Sequence, residues 1–349
     1  MKSSLVPALV TAFSTPAATG RIRRELGRAN LELASGRHAD LGLELAGRAS
    51  VLVSARSQAA VLEGLETDAG ISGGRLEMVQ QSLELASRGG QGFLEELAPL
   101  KAGQTPPSQV AAHARALLGE FTGAINATSQ GSFVFGGRNI TQAPLADYFS
   151  DPPPAARTAV ENAFAAHFGV APSDPAAAGI SASDMAAFLD GDFADLFSDS
   201  QWKANWSRAT DEGMQTLVSP HEVVAATESA NDPAVRKLAM AYVMVAGLGI
   251  ENLNARARQE VVDRAMSAVG EGIAKADEMR GRVGFRQERI ARARERLDVQ
   301  HKLLKKDIAG MEQVDLHAVA ARVNALSVQL ETSYSVTGRL QKLTLLRFL

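Results

Sequence analysis

The residues His221-Glu222 match the first half of a zinc-protease motif. In that motif, H-E-x-x-H, two histidines lie one helical turn apart, so that both ring nitrogens reach the same zinc ion. Position 225 is alanine in this chain, which removes the second ligand. The remaining histidines have no paired spacing either: they are His38, His113, His167, His301 and His317. The sequence therefore predicts no metal site.

Two glycine clusters and one aspartate cluster are candidates for phosphate and calcium sites. The glycines at 70–74 and 88–92 are not followed by the Lys-Ser/Thr pair of a phosphate-binding loop. Gly191 falls too early among the aspartates for an EF-hand, and no glutamate stands at the twelfth position. These aspartates are Asp190, Asp192, Asp195 and Asp199. We expect a solvated acidic surface there, and neither a cofactor nor catalysis.

The segment from Arg280 to Lys306 is the one candidate for contact with nucleic acid or lipid, because it has ten Lys/Arg against three Asp/Glu. An apolar residue nevertheless recurs at every seventh position, at Val283, Ile290, Leu297, Leu304 and Met311. That spacing is typical of a helix that packs on one partner helix. We therefore predict that its basic side chains are solvated or pair with acidic neighbours.

The composition of the chain argues against several other classes of function. The net charge is -3, so the chain as a whole has no electrostatic footprint for nucleic acid. Cysteine is absent, which excludes disulfides and thiolate chemistry. No apolar run approaches the roughly 18 residues of a membrane span, so we expect no membrane insertion. Residues 1–13 only weakly resemble a signal peptide, and we expect no cleavage there.

Proline marks the organisation of the chain. It is missing from residues 17–98 and 234–349, while the stretch between them holds eleven of the thirteen prolines. Because proline costs about 3 kcal/mol inside a helix, long helices are expected in the two proline-free arms. The sequence predicts a mainly α fold: a rod of long antiparallel helices formed by paired N- and C-terminal arms, with a smaller inserted α+β domain.

We divide the chain into three parts. Terminal assembly helices are predicted at 1–36 and 313–349, and a helical rod domain at 37–130 and 222–312. The inserted variable domain is predicted at 131–221. Residues 131–210 hold 11 of the 18 aromatic residues and a local charge of -5 (4 Lys/Arg against 9 Asp/Glu), which favours a separate small core.

Local patterns place several elements. Helix is predicted from about 108 to 127, and from Pro233 after the capping pair Asn231-Asp232. Short strands are predicted at 216–218 and 222–224, and a strand followed by a turn at 131–137. The pairs Gly73-Gly74 and Gly89-Gly90 predict breaks or bends, because glycine weakens a helix interior.

Both ends carry apolar stripes at helical spacing. Ile22, Leu26, Ala29 and Leu33 lie on one helical face, and this helix is predicted to end near Ser35-Gly36. The last segment is richer in apolar residues, which favours a docking or assembly element. The predicted assembly interface consists of Ile22, Leu26, Leu33, Leu316, Val323, Leu326, Leu330, Tyr334, Leu340, Leu343 and Leu346.

Three elements resemble the flagellin family, and within it the hook-filament junction proteins (hook-associated protein 3). Residues 31–37, LELASGR, are similar to the family's L-x-x-x-S-G-x-R/K element. Residues 330–349 resemble the closing pattern S-Y-x-x-x-x-R-I-x-x-L-S-L-x-x-Y-L of the junction proteins. Residues 131–137, GSFVFGG, are similar to their G-x-Y-L-F-G-G. The resemblance covers roughly residues 20–140 and 225–349.

One departure lies just after the first element. Family members usually carry an Asp-Asp pair there, whereas this chain has a single aspartate in Asp40-Leu41-Gly42. This departure leaves open which contacts the local turn makes. It does not affect the expected architecture. The sequence Asp40-Leu41-Gly42 resembles a variant found in alphaproteobacterial relatives, and this resemblance favours the junction protein over the filament subunit.

The resemblance implies a structural subunit between hook and filament, without catalysis. It implies export of the unfolded chain, without signal cleavage, to the extracellular flagellum. The implied partners are other copies in a ring, hook-associated protein 1, flagellin and an export chaperone. We expect the terminal helices to be marginal alone and to order when neighbours cover their apolar faces. A filament flagellin and a cytoplasmic coiled-coil adaptor are the alternatives.

Overall fold

The computed structural model describes the backbone of residues 5–345 and the side chains of residues 17–339. The described chain is mainly α-helical, with long helices and two small β-hairpins, as the sequence predicted. It forms two compact units. The terminal unit comprises the described parts of residues 1–63 and 299–349, and the inner unit comprises residues 64–298.

The terminal unit contains two long helices that pair with each other, α1 and α10. The prediction that the first helix ends near Ser35-Gly36 is confirmed, because Gly36 takes the left-handed conformation with φ +69. Helix α10 starts after Asp315, whose carboxylate accepts hydrogen bonds from the amides of His317 and Ala318. The helices of this unit are α1 (Leu5–Ser35), α2 (Leu41–Leu45), the first part of α3 (Ala49–Lys101), the last part of α9 (Ala255–Glu312) and α10 (Leu316–Leu345).

The inner unit holds the rest of α3 and α9 and every described strand. Its further helices are α4 (Pro107–Ile125), α5 (Ala155–Phe168), α6 (Ala182–Phe188), α7 (Asp199–Asn205) and α8 (Pro233–Gly247). Its hairpins pair β1 (Thr128–Ser129) with β2 (Ser132–Phe133), and β3 (Gln215–Ser219) with β4 (Glu222–Ala225). The predicted strands and the helix from about 108 are thereby confirmed. The predicted cap is confirmed as well, because the Asp232 carboxylate accepts a hydrogen bond from the amide of Ala234.

The predicted breaks at the glycine pairs of α3 are wrong, because α3 is one continuous helix of 53 residues. For Gly90, tertiary packing gives a reason for glycine, whereas a Cβ atom on Gly74 would meet nothing within 4 Å. A Cβ atom on Gly90 would lie 3.1 Å from Ile273 of α9 and 3.4 Å from Leu238 of α8. On α9, a Cβ atom at Gly272 would lie 2.8 Å from Leu238. Glycine thus allows α3, α8 and α9 to approach one another closely.

The aromatic-rich segment does not have the separate core that its composition suggested. Its buried rings belong to one contiguous cluster that also includes residues of α3, α4, α8 and α9. Trp202 stacks on Trp206 at 5.0 Å between ring centroids, and its indole N–H donates to the carbonyl of Ala230. On the helical side, Tyr242 of α8 lies 5.1 Å from Phe93 of α3. The insertion is therefore packed into the helical body through shared apolar contacts.

The element at 131–137 is fixed by close backbone contacts. A Cβ atom at Gly136 would lie 2.1 Å from the carbonyl oxygen of Asn139, and one at Gly137 would lie 2.2 Å from that of Thr210. The Gly137 amide donates to the carbonyl of Glu228 at 2.8 Å. Only glycine fits both positions without rearrangement. These contacts explain the paired glycines at the end of the element.

Candidate assembly surface

Four of the predicted interface residues meet where α1 and α10 pair. Ile22 and Leu26 of α1 and Val323 of α10 pack, partly buried, against a small cluster of buried side chains. That cluster consists of Ala29, Val319 and Leu326. The small side chain of Ala29 permits close approach of the two helices. The structure thus brings these four residues together within one chain, and their role in assembly stays a prediction.

Polar contacts extend the same seam. Tyr334 accepts a hydrogen bond from Nε of Arg23 at 2.6 Å, and the Arg23 guanidinium lies 5.2 Å from the centre of the tyrosine ring. Further along, the hydroxyls of Thr19 and Ser333 lie 2.7 Å apart. Sequence reasoning missed Arg23, Thr19 and Ser333. Helical spacing could have identified Thr19 and Ser333. Thr19 lies three positions before Ile22, and Ser333 lies three positions after Leu330, so each shares a helical face with a predicted interface residue.

The other predicted interface residues lie outside the buried seam. Leu33 is 39% exposed and Leu316 is 49% exposed, while Leu330 is half-buried. The side chains of Leu340 and Leu343, and Leu346 as a whole, lie outside the described residues. The pairing of α1 with α10 therefore leaves predicted interface residues uncovered within one chain.

A second apolar stripe of α10 lies at the exposed edge of the seam. Val328 is 62% exposed, and a residue two positions after Leu326 lies about 200° further around a helix. Val336 lies two turns beyond Val328 and is also exposed. The two valines and Ile22 line a groove of about 350 Å³ together with Gln329, Thr332 and Ser333. The terminal pair thus presents an apolar groove that no described side chain covers.

At the base of the terminal pair lies a buried carboxylate, Glu312, the last residue of α9. Its side chain is 5% exposed. Arg56 of α3 contacts one carboxylate oxygen at 2.5 Å, and Arg37, just after α1, contacts the other at 3.3 Å. Neither the charge pattern nor the helical period of the sequence singled out these three residues.

The basic segment of α9 pairs with acidic neighbours, as predicted. Glu222 of β4 contacts both Arg289 and Arg296, at 3.2 and 3.0 Å. Arg286 lies 2.5 Å from Glu228. Burial raises the pKa of the Glu228 carboxyl, although Arg286 and Arg282 act in the opposite direction. Arg282 likewise makes an ion pair with Asp232, at 2.7 Å.

The aspartate cluster of the inner unit is engaged by basic side chains. Asp190 makes a two-pronged contact with Arg264, each prong at 2.7 Å. The hydrogen bond from Arg264 lowers the pKa of Asp190. Asp192 contacts His167 at 2.7 Å. Among residues with described side chains, no three His, Asp or Glu residues are grouped as metal ligands would be.

None of the described helices combines the length and the apolar character that a bilayer span requires.

One comparison with known proteins gives a family match for the C-terminal part of the chain. Residues 266–349, which include the second half of α9 and all of α10, match the model of the bacterial flagellin C-terminal helical region. No curated protein sequence matches the chain. A solved structure described as a flagellar hook-associated protein from Vibrio parahaemolyticus is 9% identical, with a TM-score of 0.49.

That structural match covers 74% of this chain and 95% of the Vibrio protein, but such a score is too low to assign a fold or a function. The family match covers much less than half of the chain. It does include the described part of α10 with its seam and its outward groove. The C-terminal part of this chain, residues 266–349, is therefore similar to the C-terminal helical region of bacterial flagellins.

Proposed function

We propose that this chain is a structural subunit of the bacterial flagellum that joins hook to filament. The observation that carries the proposal is the flagellin-type C-terminal region, which coincides with the apolar groove of the terminal pair. The chain is exported unfolded, keeps its first residues and acts outside the cell. Its role is structural, without catalysis.

The groove is where we place contact with other subunits. Exposed Val328 and Val336 lie beside Ile22, so a neighbouring helix laid in the groove would bury all three side chains. Burial of apolar surface stabilises an interface by roughly 25 cal/mol per Å². The uncovered interface residues Leu33 and Leu316 provide further apolar contact at the other end of α10. Assembly by terminal helices therefore uses faces that pairing within one chain leaves open.

The proposed partners follow from this surface. Other copies of the chain form a ring, with hook-associated protein 1 on one side and flagellin on the other. Before export, a chaperone holds the apolar C-terminal helix in a groove of its own, a common mode for amphipathic helices. The terminal assembly helices are 1–36 and 313–349, and residues 131–221 form the variable insertion. No nucleic acid and no membrane insertion are involved.

The flagellin match also favours a second candidate, a subunit of the filament itself. Resemblance to the G-x-Y-L-F-G-G element of junction proteins, at 131–137, favours the junction role. The two roles differ in position: a junction subunit occupies a single zone next to the hook, whereas a filament subunit occurs along the whole filament. A cytoplasmic adaptor would occur in neither place.

The test compares Val328→Asp with Val328→Ile in the native bacterium. The aspartate places a charge in the groove, where a neighbour would have to desolvate it, and the isoleucine keeps the groove apolar. We expect Val328→Ile to enter the flagellum like the parent chain and Val328→Asp to be exported but not incorporated. Immunogold labelling of isolated flagella, with mass spectrometry of the N-terminus, measures position and cleavage.

Label restricted to the hook-filament boundary supports the junction role, and label along the filament supports the filament role. Retention of the parent chain in the cytosol would reject both. Normal incorporation of Val328→Asp would reject the groove as the assembly surface.

A further inference from the structure

Two breaks in the helices of the terminal unit lie directly beside each other. Helix α1 ends at Ser35, and α9 ends at Glu312. The His38 amide donates to the carbonyl of Glu312 at 2.9 Å, and the Val314 amide donates to that of Gly36 at 3.1 Å. These bonds form an isolated antiparallel bridge between the two chain segments. The C-terminal end of α1 and the N-terminal end of α10 are therefore joined by backbone hydrogen bonds at one short site.

The side chain of Glu312 ties a third segment to this site. Arg56, in the first part of α3, donates from Nε at 2.8 Å and from Nη2 at 2.5 Å to the same carboxylate oxygen. Arg37 contacts the second oxygen from Nη1. Both arginine side chains are at least half exposed, while the carboxylate is almost completely buried. One buried anion thus connects the segments after α1, within α3 and before α10.

The position of this anion is unfavourable for α9 alone. A carboxylate at the C-terminal end of a helix faces the negative end of the helix dipole. Burial adds the cost of removing a charge from water, which only partners can offset. Local helix stability therefore does not account for a glutamate at this place, whereas the two arginines do.

We infer that Glu312 is a positioning residue, which sets the register and the direction in which α1 and α10 leave α3 and α9. The bridge between Arg37 and Gln313 aligns the two backbones, and the two ion pairs hold that alignment against rotation. The seam at Ala29, Val319 and Leu326 then forms in one register. This inference concerns the free chain and does not depend on a role in the flagellum.

The test is hydrogen exchange on the full chain with Glu312→Gln, which keeps the shape and removes the charge. We expect exchange to quicken about tenfold in both α1 and α10, because charge-assisted hydrogen bonds that restrain both helices are lost. Exchange in the inner unit should stay unchanged. The matched control is Glu288→Gln, on the same helix, where an exposed carboxylate pairs with exposed Arg292.

A change confined to residues near 312, with α1 unaffected, would show a purely local role and overturn the inference. So would α1 amides that already exchange without protection in the parent chain. If Glu312→Gln does not fold, Arg37→Gln and Arg56→Gln take its place, since each removes one partner. Both should quicken exchange in α10, and unchanged exchange in both variants would likewise overturn the inference. None of these results bears on incorporation into flagella.

Discussion

The internal packing of the inner unit differs from that of the terminal unit. The inner unit has a large contiguous core with fully buried rings such as Trp202, Phe93 and Tyr242. Along the described seam of α1 and α10, only Ala29, Val319 and Leu326 are buried. Since stability depends mainly on apolar burial, we expect the inner unit to contribute most of the free energy of unfolding and the terminal pair to contribute much less.

Polar contacts have a correspondingly larger share in the terminal unit. Its apolar seam is extended by the bond between Arg23 and Tyr334 and anchored by Glu312. In the inner unit, the ion pairs of α9 lie around a core that is already well packed. The comparison indicates that polar contacts accompany a small apolar seam in the terminal unit and surround a large apolar core in the inner unit.

The largest expected effect comes from a charge in the small seam. Leu26→Asp and Leu326→Asp should act alike, because each places a carboxylate between the same two helices. We expect either change to weaken the pairing of α1 with α10 by about 2–4 kcal/mol, with no change in the inner unit. Hydrogen exchange reports the pairing, and urea unfolding followed by tryptophan fluorescence reports the inner unit.

Val328→Asp is the matched control, because it adds the same charge to α10 at a position that is 62% exposed to solvent. It should leave the exchange of α1 unchanged. Different phenotypes for Leu26→Asp and Leu326→Asp would contradict the pairing of these two residues in one seam, and a large loss of inner-unit stability would contradict the independence of the two cores.

Sequence periodicity was sufficient to find the helices and most of the seam. A 3.6-residue period shows which face of a helix is apolar, and so it identified Ile22, Leu26 and Leu326. It cannot show how far the partner helix extends, and so Leu33 and Leu316 were expected in an interface that one chain does not complete. Their exposure depends on where the two helices meet.

Tertiary contacts account for the features that sequence reasoning missed. The burial of Glu312 depends on arginines distant in sequence, and no local pattern encodes it. The low helix propensity of glycine predicts breaks or bends in α3, yet Gly90 allows close packing of a continuous helix against Ile273. A pattern on one helix does not reveal the neighbour that it fits.

An intermediate effect tests this close packing in the inner core. Gly272→Ala would put a Cβ atom 2.8 Å from Leu238, so we expect it to destabilise the inner unit by about 1–2 kcal/mol. Gly270→Ala is the control, because nothing lies within 4 Å of its added Cβ. It should stabilise the same helix by up to about 1 kcal/mol through helix propensity. Urea unfolding of both variants measures the two effects.

Opposite signs at positions two residues apart would establish that helix contact requires glycine at 272. Equal stabilisation by both alanines would contradict the close approach of α8 and α9. Exchange in the terminal pair should remain as in the parent chain for both variants, since the change lies in the other core.

The smallest effect concerns pH and the ion pairs around the inner core. Burial raises the pKa of Glu228 above its ordinary value of 4.5, so the folded chain keeps a proton that the unfolded chain loses. Stability from this group is complete below pH 4.5 and decreases as the pH rises through the folded pKa. Glu228→Gln removes this titration. As the pH rises across this window, the free energy of unfolding should therefore decrease less in the variant than in the parent chain.

Arg286→Gln tests the pKa of the same carboxyl by removing its basic partner. Arg286 lowers the pKa of Glu228, so its removal should raise that pKa further and extend the decrease in stability to higher pH. Urea unfolding at several pH values between about 4 and 7 measures all three chains. Parallel curves for the parent and Glu228→Gln would contradict a proton held by this carboxyl in the folded state, and would leave its contact with Arg286 as an ordinary ion pair beside the core.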